Sequence, residues 1–101
     1  MYTLNITYKV SHSILADWLL WQKEKHIADI MDTGWFTSYR FYRLMHHEDE
    51  EGDTFVLQLI LPSMEAYENF IATDDVLLKK TAYGKWGDHF IAFRTLLEHV
   101  Q

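Results

Sequence analysis

The sequence has no cysteine, and basic residues are scarce in it. Without cysteine, a disulfide framework, a zinc thiolate site and a thiol nucleophile are all excluded. Nine Lys and Arg residues face fifteen Asp and Glu residues, which gives a formal net charge of −6. Nucleic acid and anionic membranes both bind through basic patches, so neither is expected as a partner.

Long apolar runs and local catalytic signatures are also missing. No segment approaches the length of a membrane span, and the N-terminus alternates like a strand instead of resembling a secretion signal. We therefore expect a soluble cytoplasmic protein. The patterns GxSxG, GxGxxG, HExxH and the P-loop do not occur, so the corresponding chemistries lack their local signatures. No metal and no cofactor are predicted.

Aromatic and aliphatic side chains are abundant. Apolar residues make up 49% of the chain, including four Trp, six Tyr and six Phe. Residues 1–101 are therefore expected to form one domain with a single core. This is more aromatic surface than a small core with one buried sheet face needs, so part of it is expected to meet another chain.

The apolar periodicity predicts the order β-α-β-β-α-β. Strict alternation marks the first strand, and Thr33-Gly34 ends the first helix with a left-handed glycine. Pro62-Ser63 ends the third strand and caps the next helix. A break at residues 73–75 is followed by a second helical segment. The predicted elements are strands at 2–10, 36–46, 54–61 and 88–97, a helix from a Ser11 or Ser13 cap to about Met31, and helical segments from Ser63 and at 76–83.

This order predicts an α+β fold of the ferredoxin-like kind. Right-handed crossovers place both helices on one face of a four-stranded antiparallel sheet, with strands one and three in the centre. Strands two and four are apolar on both sides, so the opposite sheet face is expected to bind a second copy. The predicted assembly is a homodimeric α/β barrel.

Four motifs in chain order resemble an uncharacterised bacterial family of unknown function. They are Trp18-x-x-Trp21, Lys25-His26-Ile27, Thr33-Gly34-x-Phe36 and Phe90-x-Ala92-Phe93-Arg94-Thr95. The family is similar to the dimeric α/β-barrel proteins, which include antibiotic-biosynthesis monooxygenases. Ala28 departs from the proline that the family tends to have after His-Ile. The resemblance implies the fold and the dimer and brings no activity.

The first helix carries the candidate site. On a helical wheel, Trp18 and Trp21 lie on the side that continues into Gln22, His26 and Asp29. A carboxylate beside an imidazole would fix its tautomer and raise its basicity, as a general base or an anchored ligand donor requires. The preferred interpretation is a solvated helix end; a ligand-pocket rim, a catalytic His26 and, on a weak signal, a haem or metal ligand are the alternatives.

Other polar residues allow two interpretations each. Arg94 lies among apolar strand residues and needs either an internal carboxylate or a ligand anion. The outer stripe of Asn5 and its neighbours with Gln58 is either a hydrogen-bonded interface or a polar cavity. His46-His47 and the acidic residues that follow form either a solvated hairpin tip or a cation site.

Three functions are compatible with these features. The first is a homodimer that binds a small apolar or aromatic molecule between the first helix and the sheet, with Trp18 and Trp21 as walls and Gln22, His26 and Asp29 at the rim. The second is a cofactor-free monooxygenase or isomerase, in which His26 is the base and Arg94 orients a substrate anion. The third is a structural dimerisation module without a pocket.

Overall fold

Four antiparallel strands and a layer of helices form the fold. The computed structural model describes residues 1–45 and 51–101. The strands are β1 (Tyr2–Ser11), β2 (Ser38–Arg43), β3 (Gly52–Leu61) and β4 (Phe90–Glu98). The first helix consists of α1 (Leu15–Trp21), a π-helical turn (Gln22–His26) and α2 (Ile27–Asp32); α3 (Met64–Ala72) and α4 (Asp74–Trp86) follow β3. No helix in these two ranges is long and apolar enough to cross a membrane.

The sheet has the strand order β2-β3-β1-β4, so the predicted ferredoxin-like topology with strands one and three in the centre is confirmed. Leu4 of β1 lies opposite Leu59 of β3 and Leu96 of β4. The side chains at this register face the helices, because strand residues alternate between the two faces. On this inner face, β1 and β3 contribute the sheet's central share of the core: Leu4, Ile6, Tyr8, Val10, Phe55, Leu57, Leu59 and Leu61.

The outer face of the sheet carries exposed apolar side chains around a polar centre. Tyr42, Ile91, Phe93 and Leu97 are each about half exposed. In the centre, the Gln58 side-chain amide donates to Asn5 Oδ1 across 3.3 Å. One hydrogen bond therefore joins the two polar residues, and the apolar residues on the flanking strands are left in contact with solvent.

Several predicted boundaries are confirmed. Ser63 Oγ accepts a hydrogen bond from Ala66 N at the start of α3, and Gly34 has the left-handed φ of +83° that ends the first helix. Thr73, at φ −121° and ψ −78°, separates α3 from α4. A serine cap on the first helix was wrong, because that helix begins after Ile14 without a side-chain cap.

The last helix and the second strand differ from the prediction. α4 continues through Gly84 to Trp86 and ends only at Gly87, whose φ is +61°. The predicted segment ended at residue 83, before Gly84, but a glycine inside a helix is unfavourable and still tolerated. β2 spans Ser38–Arg43 and is shorter than predicted. The predicted hairpin tip at His46-His47 lies outside the described residues.

Candidate functional site

The first helix is interrupted by a π-helical turn. The Ile27 amide donates to the Gln22 carbonyl, five residues earlier. Trp18, Gln22, His26 and Ile30 follow one another at four-residue steps, and all are buried. An α-helix has about 3.6 residues per turn, so side chains at four-residue steps would turn progressively away from the sheet. The π turn has more residues per turn and brings the later side chains back toward the sheet. The turn therefore places two polar side chains on the core side.

Gln22 and His26 form a buried hydrogen-bonded pair. The imidazole Nδ1 lies 2.9 Å from Gln22 Oε1. An amide oxygen only accepts, so Nδ1 donates and Nε2 is the unprotonated nitrogen. Burial lowers the pKa of His26 to about 4; nearby Asp29 opposes this shift and Arg94 reinforces it. His26 is therefore a neutral imidazole with a defined tautomer at neutral pH.

Aromatic rings hold the imidazole in place. Trp21 stacks on His26 with ring centres 4.5 Å apart and planes within 12°. Residues five apart are not neighbours on an α-helix, so this contact is a consequence of the π turn. Trp86, at the end of α4, packs edge-on against Trp21, with ring centres 5.7 Å apart.

A cavity of about 300 Å³ lies between the helices and the inner face of the sheet. Its walls come from β1, β3, β4, the first helix, α3 and α4, and most of them are apolar. The polar groups that border it are Tyr8, His26, Asp75, Lys79, Tyr83 and Arg94. Burial raises the pKa of Tyr8 to about 12, so this phenol is neutral at physiological pH. The cavity is apolar with polar groups at defined points, as small-molecule sites generally are.

One border of the cavity is an ion-pair cluster. Arg94 donates to both oxygens of Asp75 at 2.8 and 2.6 Å, and Lys79 Nζ lies 3.4 Å from Asp75 Oδ2. The Asp75 side chain is 4% exposed, whereas that of Lys79 is 51% exposed. A buried carboxylate needs such compensation, since an unpaired charge in the interior is costly. Arg94 therefore has an internal carboxylate partner and also borders the cavity.

The six candidate residues are distributed over three places. His26 and Arg94 border the cavity. Trp18 is fully buried in the core, where its ring lies 5.2 Å from Tyr8 and 5.3 Å from Phe55. The other three do not border the cavity: Gln22 is hydrogen-bonded to His26, Trp21 stacks on His26, and Asp29 pairs with Lys25 at 3.2 Å.

The interpretation of a solvated helix end was wrong for Gln22 and His26, which are buried at 0% and 7% exposure. That interpretation assumed uniform α-helical geometry. The π turn changes which side chains of the later part of the helix face the sheet. Sequence reasoning also missed Asp75 and Lys79 as cavity residues, since residues 73–75 were interpreted only as a break before the second helical segment. Their i, i+4 spacing on one helix was the available signal.

Metal-ligating side chains do not converge in the described ranges, where no group of three or more His, Asp or Glu residues is placed to hold an ion.

The chain belongs to the family described as domain of unknown function DUF4286, whose model matches residues 1–100. No protein of curated function matches the sequence significantly. The family assignment agrees with the resemblance seen in the sequence motifs.

Solved structures share the fold. A dimeric ferredoxin-like protein from an uncultured marine organism has a TM-score of 0.74 at 13% identity, covering 99% of this chain and 95% of that one. SnoaB, a cofactor-independent oxygenase from Streptomyces nogalater solved as a mutant, has a TM-score of 0.68 at 13% identity, covering 99% and 94%. HapK from Hahella chejuensis has a TM-score of 0.72 at 11% identity, covering 99% and 93%. At these identities the likeness shows the fold alone.

Proposed function

We propose that this protein is a homodimeric binding module that holds a small, largely apolar or aromatic molecule in the cavity between the helices and the sheet. The observation that carries this proposal is the cavity itself, about 300 Å³ with mostly apolar walls and a neutral, positioned imidazole at its border. Pockets of this kind use apolar walls for affinity and a few polar groups for orientation.

The homodimer part of the proposal is supported by the outer sheet face. Ile91, Phe93 and Tyr42 expose apolar surface there, whereas the helices cover the inner face. A second copy of the chain would bury this surface by packing sheet against sheet, with the Asn5–Gln58 hydrogen bond in the centre. Solved relatives of the same fold are described as dimeric ferredoxin-like proteins.

A cofactor-free oxygenase or isomerase is the second candidate function. It is favoured by the hydrogen bond that His26 Nδ1 donates to Gln22 Oε1, which leaves His26 Nε2 able to accept a proton from a ligand O–H or C–H group. SnoaB, of similar fold, is a cofactor-independent oxygenase. In this role His26 would be the catalytic residue, and replacing it by Gln would abolish turnover while binding is retained.

The binding proposal is tested with small aromatic probes and a variant that fills the cavity. Ala82 is buried and borders the cavity, so Ala82→Leu reduces its volume. Exposed Ala16 of α1 gives the matched control Ala16→Leu. We expect 2-naphthol, indole or both to bind the parent protein and Ala16→Leu equally, and Ala82→Leu at least about tenfold more weakly.

Titration calorimetry measures these affinities, and circular dichroism verifies that both variants are folded. Equal affinity of Ala82→Leu and the parent protein would place the binding site elsewhere. Binding of neither probe to the parent protein would contradict a cavity for aromatic molecules. Oxygen consumption on addition of 2-naphthol, measured with an electrode, separates the oxygenase from the binding module.

A further inference from the structure

The cavity holds more positive than negative charge, although the whole chain carries −6. Arg94 and Lys79 both border the cavity, and both pair with the same carboxylate, that of Asp75. Two cations sharing one carboxylate leave one positive charge uncompensated. Within residues 1–45 and 51–101, no second carboxylate forms an ion pair with either cation.

The remaining polar groups at the cavity do not supply the missing negative charge. Tyr8 is a buried phenol whose pKa is raised to about 12, and Tyr83 is also a phenol. His26 is neutral, and Arg94 contributes to lowering its pKa, as a positive charge within reach of the imidazole must. The nearby carboxylate of Asp29 is paired with Lys25 and is 42% exposed.

Geometry places the uncompensated charge where a ligand can use it. The Asp75 carboxylate is almost fully buried and fixes the Arg94 guanidinium through two hydrogen bonds. The Lys79 side chain is half exposed and has only a single, longer contact to Asp75. Its flexible ammonium can therefore contact a second anion without leaving the first one unpaired.

We propose that the ligand of this cavity is an organic monoanion, with an apolar or aromatic body between the helices and the sheet and a carboxylate or similar anionic group at Lys79 and Arg94. This proposal rests on the proposed binding function and adds the charge of the ligand. A monoanion completes the compensation of two cations by two anions. A cationic ligand would add to the positive excess, and a neutral ligand would leave it.

The test compares probes of the same shape and different charge. The probes are 2-naphthoate, neutral 2-naphthamide and cationic 2-naphthylmethylammonium, and titration calorimetry measures the affinity of each. We expect 2-naphthoate to bind about tenfold more tightly than 2-naphthamide, and the cation to bind most weakly. Added salt should reduce this preference, because Lys79 is half exposed.

Neighbouring lysines on α4 provide a matched pair of variants. Lys79→Gln removes the uncompensated charge, whereas Lys80→Gln makes the same change of net charge at an exposed position that does not border the cavity. Lys79→Gln should bind 2-naphthoate and 2-naphthamide with similar affinity, and Lys80→Gln should keep the preference of the parent protein. Both lysines are exposed, so neither variant is expected to unfold.

The outcomes separate the two proposals. If all three probes bind with equal affinity, or if Lys79→Gln keeps the preference for 2-naphthoate, the monoanion proposal is overturned and the binding function stands. If no probe binds the parent protein, the binding function itself fails. Preference for the cation would contradict the charge assignment directly.

Discussion

Acidification is expected to destabilise the protein through His26. The imidazole is buried, hydrogen-bonded to Gln22 and stacked on Trp21, and burial lowers its pKa to about 4 from an ordinary value of 6.5. The unfolded chain therefore binds a proton at His26 near pH 6.5, whereas the folded chain binds it only near pH 4. Between these two values the proton favours the unfolded state.

The size of the effect follows from the two pKa values. Each unit of difference corresponds to about 1.4 kcal/mol, so the full loss of stability is about 3 kcal/mol. Lowering the pH from about 7 to about 5 covers most of this range and costs about 2 kcal/mol at this residue. The loss begins as pH falls through 6.5 and levels off near pH 4, where the folded state also takes up the proton.

Urea unfolding, followed by tryptophan fluorescence at both pH values, measures this contribution. His26→Gln removes the titrating group, so it should lose about 2 kcal/mol less than the parent protein on acidification. His12→Gln, at an exposed position, is the matched control and should keep the parent's pH dependence. If His26→Gln and the parent lose the same stability, the imidazole is not a buried neutral group and its role at the cavity is refuted.

Two further predictions concern the core and the sheet face. Trp18→Ala should lower the free energy of unfolding in urea by about 3–5 kcal/mol, because the ring is fully buried against Tyr8 and Phe55. The control Leu20→Ala, at a half-exposed position of the same helix, should lower it by less than about 1 kcal/mol. A small loss for Trp18→Ala would contradict its place in the core. Phe93→Asp, on the outer sheet face, should convert a dimer into a monomer in light scattering. Val76→Asp, at a position of α4 that is also more than half exposed, should leave the mass unchanged. A monomeric parent protein would contradict the proposed assembly.

The fold could be predicted from the sequence because its signals are local and independent of side-chain detail. Alternation in β1, the Ser63 cap and the left-handed Gly34 each define an element or its end. Together they give the element order, and connection rules then allow few topologies. The ferredoxin-like sheet follows from this order without any knowledge of packing.

The geometry of the first helix could not be predicted in the same way. A helical wheel assumes the same rotation angle for every residue, and the π turn at Gln22–His26 does not obey that assumption. The four-residue spacing of Trp18, Gln22 and His26 is compatible with a regular α-helix, in which these side chains turn progressively away from the sheet. It is equally compatible with a helix in which a π turn keeps them facing the sheet. Packing of the helix against the sheet decides between these two geometries, and a single sequence does not show that packing.

The ion-pair cluster at the cavity depends on contacts between residues distant in sequence. Asp75 is nineteen positions from Arg94, and its place opposite the inner face of β4 follows from how α4 packs on the sheet. From sequence, an acidic residue near a helix start is equally well explained as a favourable charge at the N-terminus. The sequence therefore predicted that Arg94 needs an anionic partner, but it could not identify Asp75 as that partner.

The measurement that tests the central claim most directly is a crystal structure of the protein with 2-naphthoate added. We expect density for the bicyclic ring in the cavity bordered by His26 and Ala82, with the carboxylate within hydrogen-bond distance of Lys79 or Arg94. A cavity closed by the protein's own side chains, or naphthoate bound only on the outer face of the sheet, would contradict that claim.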